Sequence, residues 1–269
     1  MSFAERESRR SFRLTWFLRI CRPGVCLLWI SVLVAASTTP SGRSGRLQED
    51  PVQRLRRLGA TVFQRGDMVV EVNANRTPLV DDDLALLAGF TDLTDLSLEQ
   101  TQVGDAGLAH LAGLRKLQWL NLYRTRVGDS GLLHFRELKS LQHLPIGGTL
   151  VTDKGLAHLR KMSQLVYLGL RGNKVTDAGL ENLRGLTKLT GLHLGETGIS
   201  DAGVTHLLGL TKLQKLWLDR TDLTDQAVPL LAKLESLTEL YVYGTGLTSD
   251  GIRELAESLP GCRIINEQR

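Results

Sequence analysis

The stretch Thr187–Leu210, TKLTGLHLGETGISDAGVTHLLGL, recurs along the chain in steps of 24 residues. Copies begin at Thr91, Arg115, Lys139, Ser163, Thr187, Thr211 and Glu235, and a worn copy begins at Asp67, so eight units fill residues 67–258 without a gap. Apolar residues recur at unit positions 3, 6, 8, 13, 18, 21 and 24, with Thr or Asn at 11, Asp at 15 and Gly at 17. A unit this short cannot bury its own apolar residues, whereas stacked copies bury them in one continuous core. The array is therefore a solenoid with no internal domain boundary.

Within the unit, positions 5–9 of Thr187–Leu210 read GLHLG. The alternation turns Leu192 and Leu194 to one face of a short strand and Gly191, His193 and Gly195 to the other. Further on, Val204, Leu207 and Leu210 recur at a spacing of three, a helical period. Ser200 or Asp201 is placed to cap that helix, and Gly209 suits a left-handed helix exit. The series Asp105, Asp129, Asp153, Asp177, Asp201 and Asp225 reads the same way, each carboxylate accepting from local amides.

The pattern LxxLxLxxT resembles the leucine-rich repeats, of the bacterial type with TDAGL-like units. The resemblance implies a right-handed α/β horseshoe, with a parallel sheet of at least eight strands on the concave face and short helices on the convex face. Threonine at position 11 is expected to hydrogen-bond the turning backbone, the role of asparagine in the family's usual pattern; here only Asn173 keeps the amide.

Ahead of the array, residues 1–36 combine an Arg-rich start with the apolar run VCLLWISVLVAA (Val25–Ala36) and read as an export signal cleaved after Ala36. Twelve residues are too few to span a bilayer, which takes about 20. The alternative is an uncleaved membrane anchor, and Ser8-Arg9-Arg10-Ser11-Phe12 partly resembles a twin-arginine export motif. Residues 37–50 read as a flexible linker, 51–66 as an N-terminal cap and 259–269 as a C-terminal cap strand. The expected location is secreted, periplasmic or cell-surface. Arg65-Gly66-Asp67 reads as a hairpin turn rather than an adhesion motif, and Asn75-Arg76-Thr77 is a glycosylation sequon only in a eukaryotic secretory host. Cys21 and Cys26 fall in the removable segment, leaving Cys262 alone and no internal disulfide.

The formal charge of +4 comes from the Arg-rich start, because residues 37–269 hold 27 basic and 27 acidic groups. A neutral array gives no reason to expect nucleic acid as a partner. His110, His134, His158 and His206 share position 20, but neighbouring helices pack about 8–10 Å apart, too far for a metal that needs its ligands within about 2.1 Å. No nucleophile elbow, phosphate loop or HExxH occurs. Catalytic residues, metal and cofactor are accordingly all expected to be absent.

The concave positions 5, 7 and 9 are where binding residues gather: Trp119, Tyr123, Tyr167, Arg171, His193, Lys215, Trp217, Tyr241 and Tyr243. All four Tyr, and both Trp beyond the first 36 residues, fall there, while the core positions are almost all Leu and Val. Tyr, Trp and Arg dominate protein interfaces, where large rigid surface is buried at small entropic cost. Pro145, Gly147, Gly148, Gly169, Gly191 and Gly195 between them suggest a shallow floor. The expected function is a non-enzymatic module that binds a protein or peptide on the concave sheet. A glycan or cell-wall ligand on the same aromatic face is the alternative. A ubiquitin-ligase-type substrate adaptor, suggested by the similar repeats of F-box proteins, lacks an F-box-like segment here. Contact with a membrane is expected only if the first segment stays uncleaved.

Overall fold

The computed structural model describes residues 49–267. The export segment and most of the linker expected from the sequence lie outside them. The described residues carry one ten-stranded sheet in sequence order: β1 (Thr61–Arg65), β2 (Met68–Asn73), β3 (Asp95–Ser97), β4 (Trp119–Asn121), β5 (His143–Pro145), β6 (Tyr167–Gly169), β7 (Gly191–His193), β8 (Lys215–Trp217), β9 (Glu239–Tyr241) and β10 (Arg263–Ile265). The strands β2 to β10 are parallel, in a register that advances by 24 residues per step through the repeats: Leu144 pairs with Leu168, Leu168 with Leu192 and Leu192 with Leu216. The array resembled in the sequence is thus present as a right-handed α/β leucine-rich-repeat solenoid.

Only β1 runs antiparallel, forming a hairpin with β2 through Gly66 at φ +62°. Helix α1 (Pro51–Arg57) packs beside it, capped by Asp50. Together they cover the first coil, whose edge would otherwise be bare. The weakest step of the ladder is β4 to β5, where Trp119–His143 is the one registered pair. Pro145 has no N–H to donate and cannot complete the ladder at its own position.

Between strands the chain makes short helices: α2 (Asp105–Leu108), α3 (Asp153–Leu159), α4 (Asp177–Leu180), α5 (Val228–Leu231) and α6 (Ser249–Ser258), with 3-10 turns in the other coils. The spacing of three seen at Val204, Leu207 and Leu210 belongs to a 3-10 turn, Asp201–Leu207, rather than to an α-helix. The core is a stack of leucines such as Leu96, Leu120, Leu144, Leu168, Leu192 and Leu216, all without solvent exposure.

Threonine at position 11 behaves as expected. From Thr77 to Thr245, each such hydroxyl donates to the carbonyl three residues back at 2.5 to 2.7 Å. Asn173 reaches back to the preceding coil instead, donating to the Ile146 carbonyl at 3.0 Å and accepting the Thr149 amide at 3.0 Å.

Two local expectations fail. Gly209 is not left-handed; position 10 is, in every coil, at Arg76, Gln100, Arg124, Gly148, Gly172, Glu196, Arg220 and Gly244. The sharp reversal follows the strand rather than the helix, because a 3-10 turn tightens its own end without a left-handed residue.

The aspartates at position 15, moreover, do not cap their own helices. Asp153 accepts the Thr176 amide at 2.8 Å and the Thr176 hydroxyl at 2.7 Å, both in the next coil. Asp129, Asp177, Asp201 and Asp225 repeat this with Thr152, Ser200, Thr224 and Thr248. Capping of the local turn falls to the hydroxyl at Thr152, Ser200, Thr224 and Thr248, as when the Ser200 oxygen accepts the Ala202 amide at 3.3 Å, whereas Thr176 makes no such bond ahead of α4. The glycine at position 17 now has a reason. A methyl group on Gly107 would stand 2.6 Å from the Asp81 carboxylate, and one on Gly179 would overlap that of Asp153.

Candidate functional site on the concave face

The strand alternation carries positions 5, 7 and 9 onto the open face, where they form three columns running across the sheet. In the middle column His193, Trp217 and Tyr241 stack as a ladder, with centroids 5.3 Å apart at each step and interplanar angles of 10° and 17°. Neighbouring strands lie about 4.8 Å apart, so rings on consecutive strands meet face to face. Tyr167 meets Trp217 edge-on at 6.3 Å, and Trp119 lies 5.6 Å from His143.

The stacking has a cost in accessibility. Trp217, Tyr241 and Tyr243 keep only 5%, 7% and 9% of their surface and form a second, small apolar cluster on the concave side, with Tyr167 and Ile265 against it. Trp119, Tyr123, His143, Tyr167 and His193 stay half-exposed. The glycines do not leave an open floor, contrary to the sequence expectation. Tyr167 lies across Gly191, where a Cβ would stand 2.8 Å from its ring, and Asp219 fills the space above Gly195 at 2.5 Å.

Charge on this face is arranged in triplets. Glu196 accepts from Arg171 and Arg220, both at 2.8 Å. Glu239 lies 3.2 Å from Lys215 and 3.3 Å from Arg263, and accepts the Tyr241 hydroxyl at 3.0 Å. The Arg171 contact holds the Glu196 carboxyl below the usual range. For Glu239, burial is outweighed by Tyr241 and Lys215, and its pKa is lowered too. Burial works against the Arg171 charge, but Glu196 prevails and keeps it firmly protonated.

Asp219 stands apart from these triplets. It is 1% exposed and neither oxygen makes a hydrogen bond of normal geometry. Burial raises its pKa, offset in part by the nearby Tyr243 hydroxyl and the Arg171 charge. Burial and that carboxylate in turn push the Tyr243 phenol up to about 12. Both histidines of the face are neutral at physiological pH. Burial brings His143 down to about 4, while desolvation by packing against Trp217 and the Arg171 charge lower His193 too. His193 Nδ1 accepts the Gly195 amide at 3.2 Å, which fixes its tautomer.

All nine residues expected from the sequence thus lie on one face. The structure brings Tyr167, His193, Trp217, Tyr241 and Tyr243 together, sets Arg171 and Lys215 in the flanking charge triplets, and leaves Trp119 and Tyr123 toward the N-terminal side. His143 and Asp219 occupy positions 5 and 9 of their units and were available to the same periodic reading. A search limited to aromatic and cationic residues, with His193, passes over them. Glu196 and Arg220 sit at position 10, outside the alternation, and only the left-handed backbone there turns them toward the face. Among the described residues no group of His, Cys, Asp and Glu could hold a metal ion, and no helix is long and apolar enough to cross a membrane.

A family model for a leucine-rich repeat region matches residues 77–265, and the chain belongs to the leucine-rich-repeat proteins. Among solved structures it is similar to internalin C2 of Listeria monocytogenes, at 25% identity and a TM-score of 0.59 over 74% of this chain and 81% of that one. Internalin F of the same organism is 26% identical with a TM-score of 0.53, over 70% of this chain and 58% of that one. The ectodomain of the Arabidopsis receptor kinase HAESA, solved with a peptide hormone ligand, shares the fold at 21% identity and a TM-score of 0.60; the match covers 82% of this chain and 41% of that one. No curated protein matches the chain.

Proposed function

We propose that this protein is a non-enzymatic binding module that holds a protein or peptide segment across the concave face of β4 to β9, and that it works outside the cytoplasm. The observation that carries the reading is the segregation of every described Tyr and Trp onto that face, although the core beneath is built without them. Trp119, Tyr123, Tyr167 and His193, together with His143, supply half-exposed contact surface. Trp217, Tyr241 and Tyr243 hold it rigid, so a ligand loses little of its binding energy to ordering side chains. Arg171 and Lys215, already fixed by Glu196 and Glu239, offer oriented donors at the side. Export rests on the Arg-rich start and the apolar run Val25–Ala36.

At the centre of the face a peptide is favoured over a sugar, which stacks on an open ring face, because both faces of Trp217 are covered by His193 and Tyr241.

Selection of a displayed random-peptide library on the protein tests the reading. Recovered peptides should lose about 2 kcal/mol or more of affinity to Trp119→Ala or Tyr167→Ala, as interface anchors do, and nothing to His134→Ala on the convex side. Failure to enrich any sequence, or equal loss from the convex change, would place the site elsewhere.

A further inference from the structure

The flank on which each coil descends from its outer turn back to the strand differs sharply in charge from the rest of the molecule. It is made of unit positions 20 to 24 and the first two positions of the next unit. From residue 86 to residue 236 these windows contain ten Arg and Lys against three Asp and Glu, whereas the remaining described residues contain 14 against 24. Arg136, Arg160 and Arg184 recur at position 22, and Lys188 and Lys212 recur at position 2; all five are exposed.

These cations are also left uncompensated. On the concave face Arg171, Lys215, Arg220 and Arg263 are each in an ion pair. Of the ten on the flank, only Lys116 is in an ion pair among the described residues, with Asp92 at 2.5 Å; Arg184 meets the His206 ring, Lys188 donates to Gln164 and Lys139 to the Arg136 carbonyl, contacts that leave their charges unneutralised. Cations do favour helix C-termini, but the helical segments here are only about seven residues long and largely 3-10, so their dipoles are short, and Lys188 and Lys212 lie beyond them on the way back to the strand.

We propose that this flank is a second binding surface, independent of the concave site, for a linear anionic polysaccharide lying along the solenoid axis. The cations advance by one coil per step, between about 4.8 Å on the strand side and 8–10 Å on the helix side, a repeat suited to a chain with one acidic group every sugar or two. The stripe is only a few residues wide, and the positions on either side of it are mostly uncharged, among them Trp119, His143 and Tyr167 toward the sheet and Ala109, Ala157 and Thr205 toward the outer turn. A thin chain stays within the stripe, while a nucleic-acid duplex or an anionic bilayer reaches past it onto the rest of the described molecule, in which acidic groups outnumber basic ones 24 to 14. The flank also has no Trp or Tyr, the residues that stack on bases or settle at a membrane interface.

The test uses the full chain, with heparin as a sulfated probe and alginate as a carboxylate probe, each measured from 50 to 300 mM salt. A DNA duplex and phosphatidylglycerol vesicles serve as the competing classes. Reversing three cations, Arg136→Glu with Arg160→Glu and Arg184→Glu, should weaken polysaccharide binding at least tenfold and flatten its salt dependence. Reversing Arg126, Lys154 and Lys174 to Glu on the opposite flank makes the same change of net charge and should leave binding within about twofold. The Arg-rich first residues contribute equally to every variant. No binding of either polysaccharide at 50 mM salt, equal losses from the two triple variants, or binding of the duplex or vesicles alone would overturn the proposal.

Discussion

The aspartate of one coil and the glycine of the next form a single device, and a double-mutant cycle on Asp153 and Gly179 tests it. Asp153 satisfies two donors of Thr176. Hydrogen bonds to a charged group contribute about 1.5–3 kcal/mol each when protected. This pair is exposed, so Asp153→Ala should cost about 1–2 kcal/mol in all. Gly179→Ala puts a methyl group into the carboxylate and displaces it. The same bonds are lost, offset by the roughly 1 kcal/mol that alanine gains over glycine in a helix, and a net loss of about 0–1 kcal/mol remains. With Asp153 already removed nothing is left to displace, so adding Gly179→Ala should be neutral or stabilising. The coupling is therefore about 1–2 kcal/mol with a change of sign, well above the additivity expected of independent sites. Urea denaturation read by circular dichroism, comparing midpoints of the four proteins, measures it. An equal loss from Gly179→Ala in both backgrounds would refute the reasoning. The molecule already holds one accommodated case: Ala227 occupies the glycine position over Asp201, and there a 3-10 turn (Asp225–Ala227) runs into α5 while both bonds to Thr224 persist at 2.8 and 2.6 Å.

Two further outcomes follow from the concave face. Burial lowers the pKa of His143 to about 4 and that of His193 as well, below the ordinary imidazole value of 6.5; the unfolded chain takes up protons that the folded one refuses, and stability falls as pH drops below 6.5. Thermal melting between pH 7 and pH 5, above the carboxylate range, should show the decline, and His143→Gln should reduce it; an unchanged slope would mean that the ring is solvated. Asp219→Asn should raise the melting temperature at pH 7, because the folded state raises that carboxyl's pKa and loses stability as pH rises through it. The gain should vanish near pH 3, and a destabilised Asn variant at pH 7 would show that Tyr243 and Arg171 hold the carboxylate more firmly than the geometry indicates.

The fold was legible because a period of 24 fixes which residues lie above one another, and the leucine columns admit one stacking. The error over the aspartates has the same root. Asp153 and Gly179 stand 26 residues apart in sequence and adjacent in space, so a reading confined to one unit sees an acid near a helix start and infers a local cap. The ends of the array carry the missing information. Asp81 has a following coil and keeps the aspartate, but its unit has no repeat coil before it, and position 17 is Asp83, which lies 3.6 Å from Arg54 of the cap. The last unit has the reverse pattern: Gly251 makes room for Asp225, and position 15 is Ser249, with no further repeat amide to receive.

The concave site was legible by column and not by row. Alternation assigns Tyr167, Trp217 and Tyr241 to the open face with no knowledge of rotamers, since the pleat alone decides which side a residue takes. Whether those rings stand out to meet a ligand or lie down on their neighbours depends on what the adjacent coil provides. Glycine at 191 lets Tyr167 lie across the sheet, and His193 and Tyr241 close on Trp217 from both sides. The side chains that the sequence marks most strongly as anchors are consequently the most buried ones, and the half-exposed Trp119, His143 and Tyr167 border the strand pair that Pro145 weakens. Under the proposed function, the half-exposed contact surface thus lies beside the step of the ladder that lacks the Pro145 hydrogen bond, with the close-packed stack of His193, Trp217 and Tyr241 behind it.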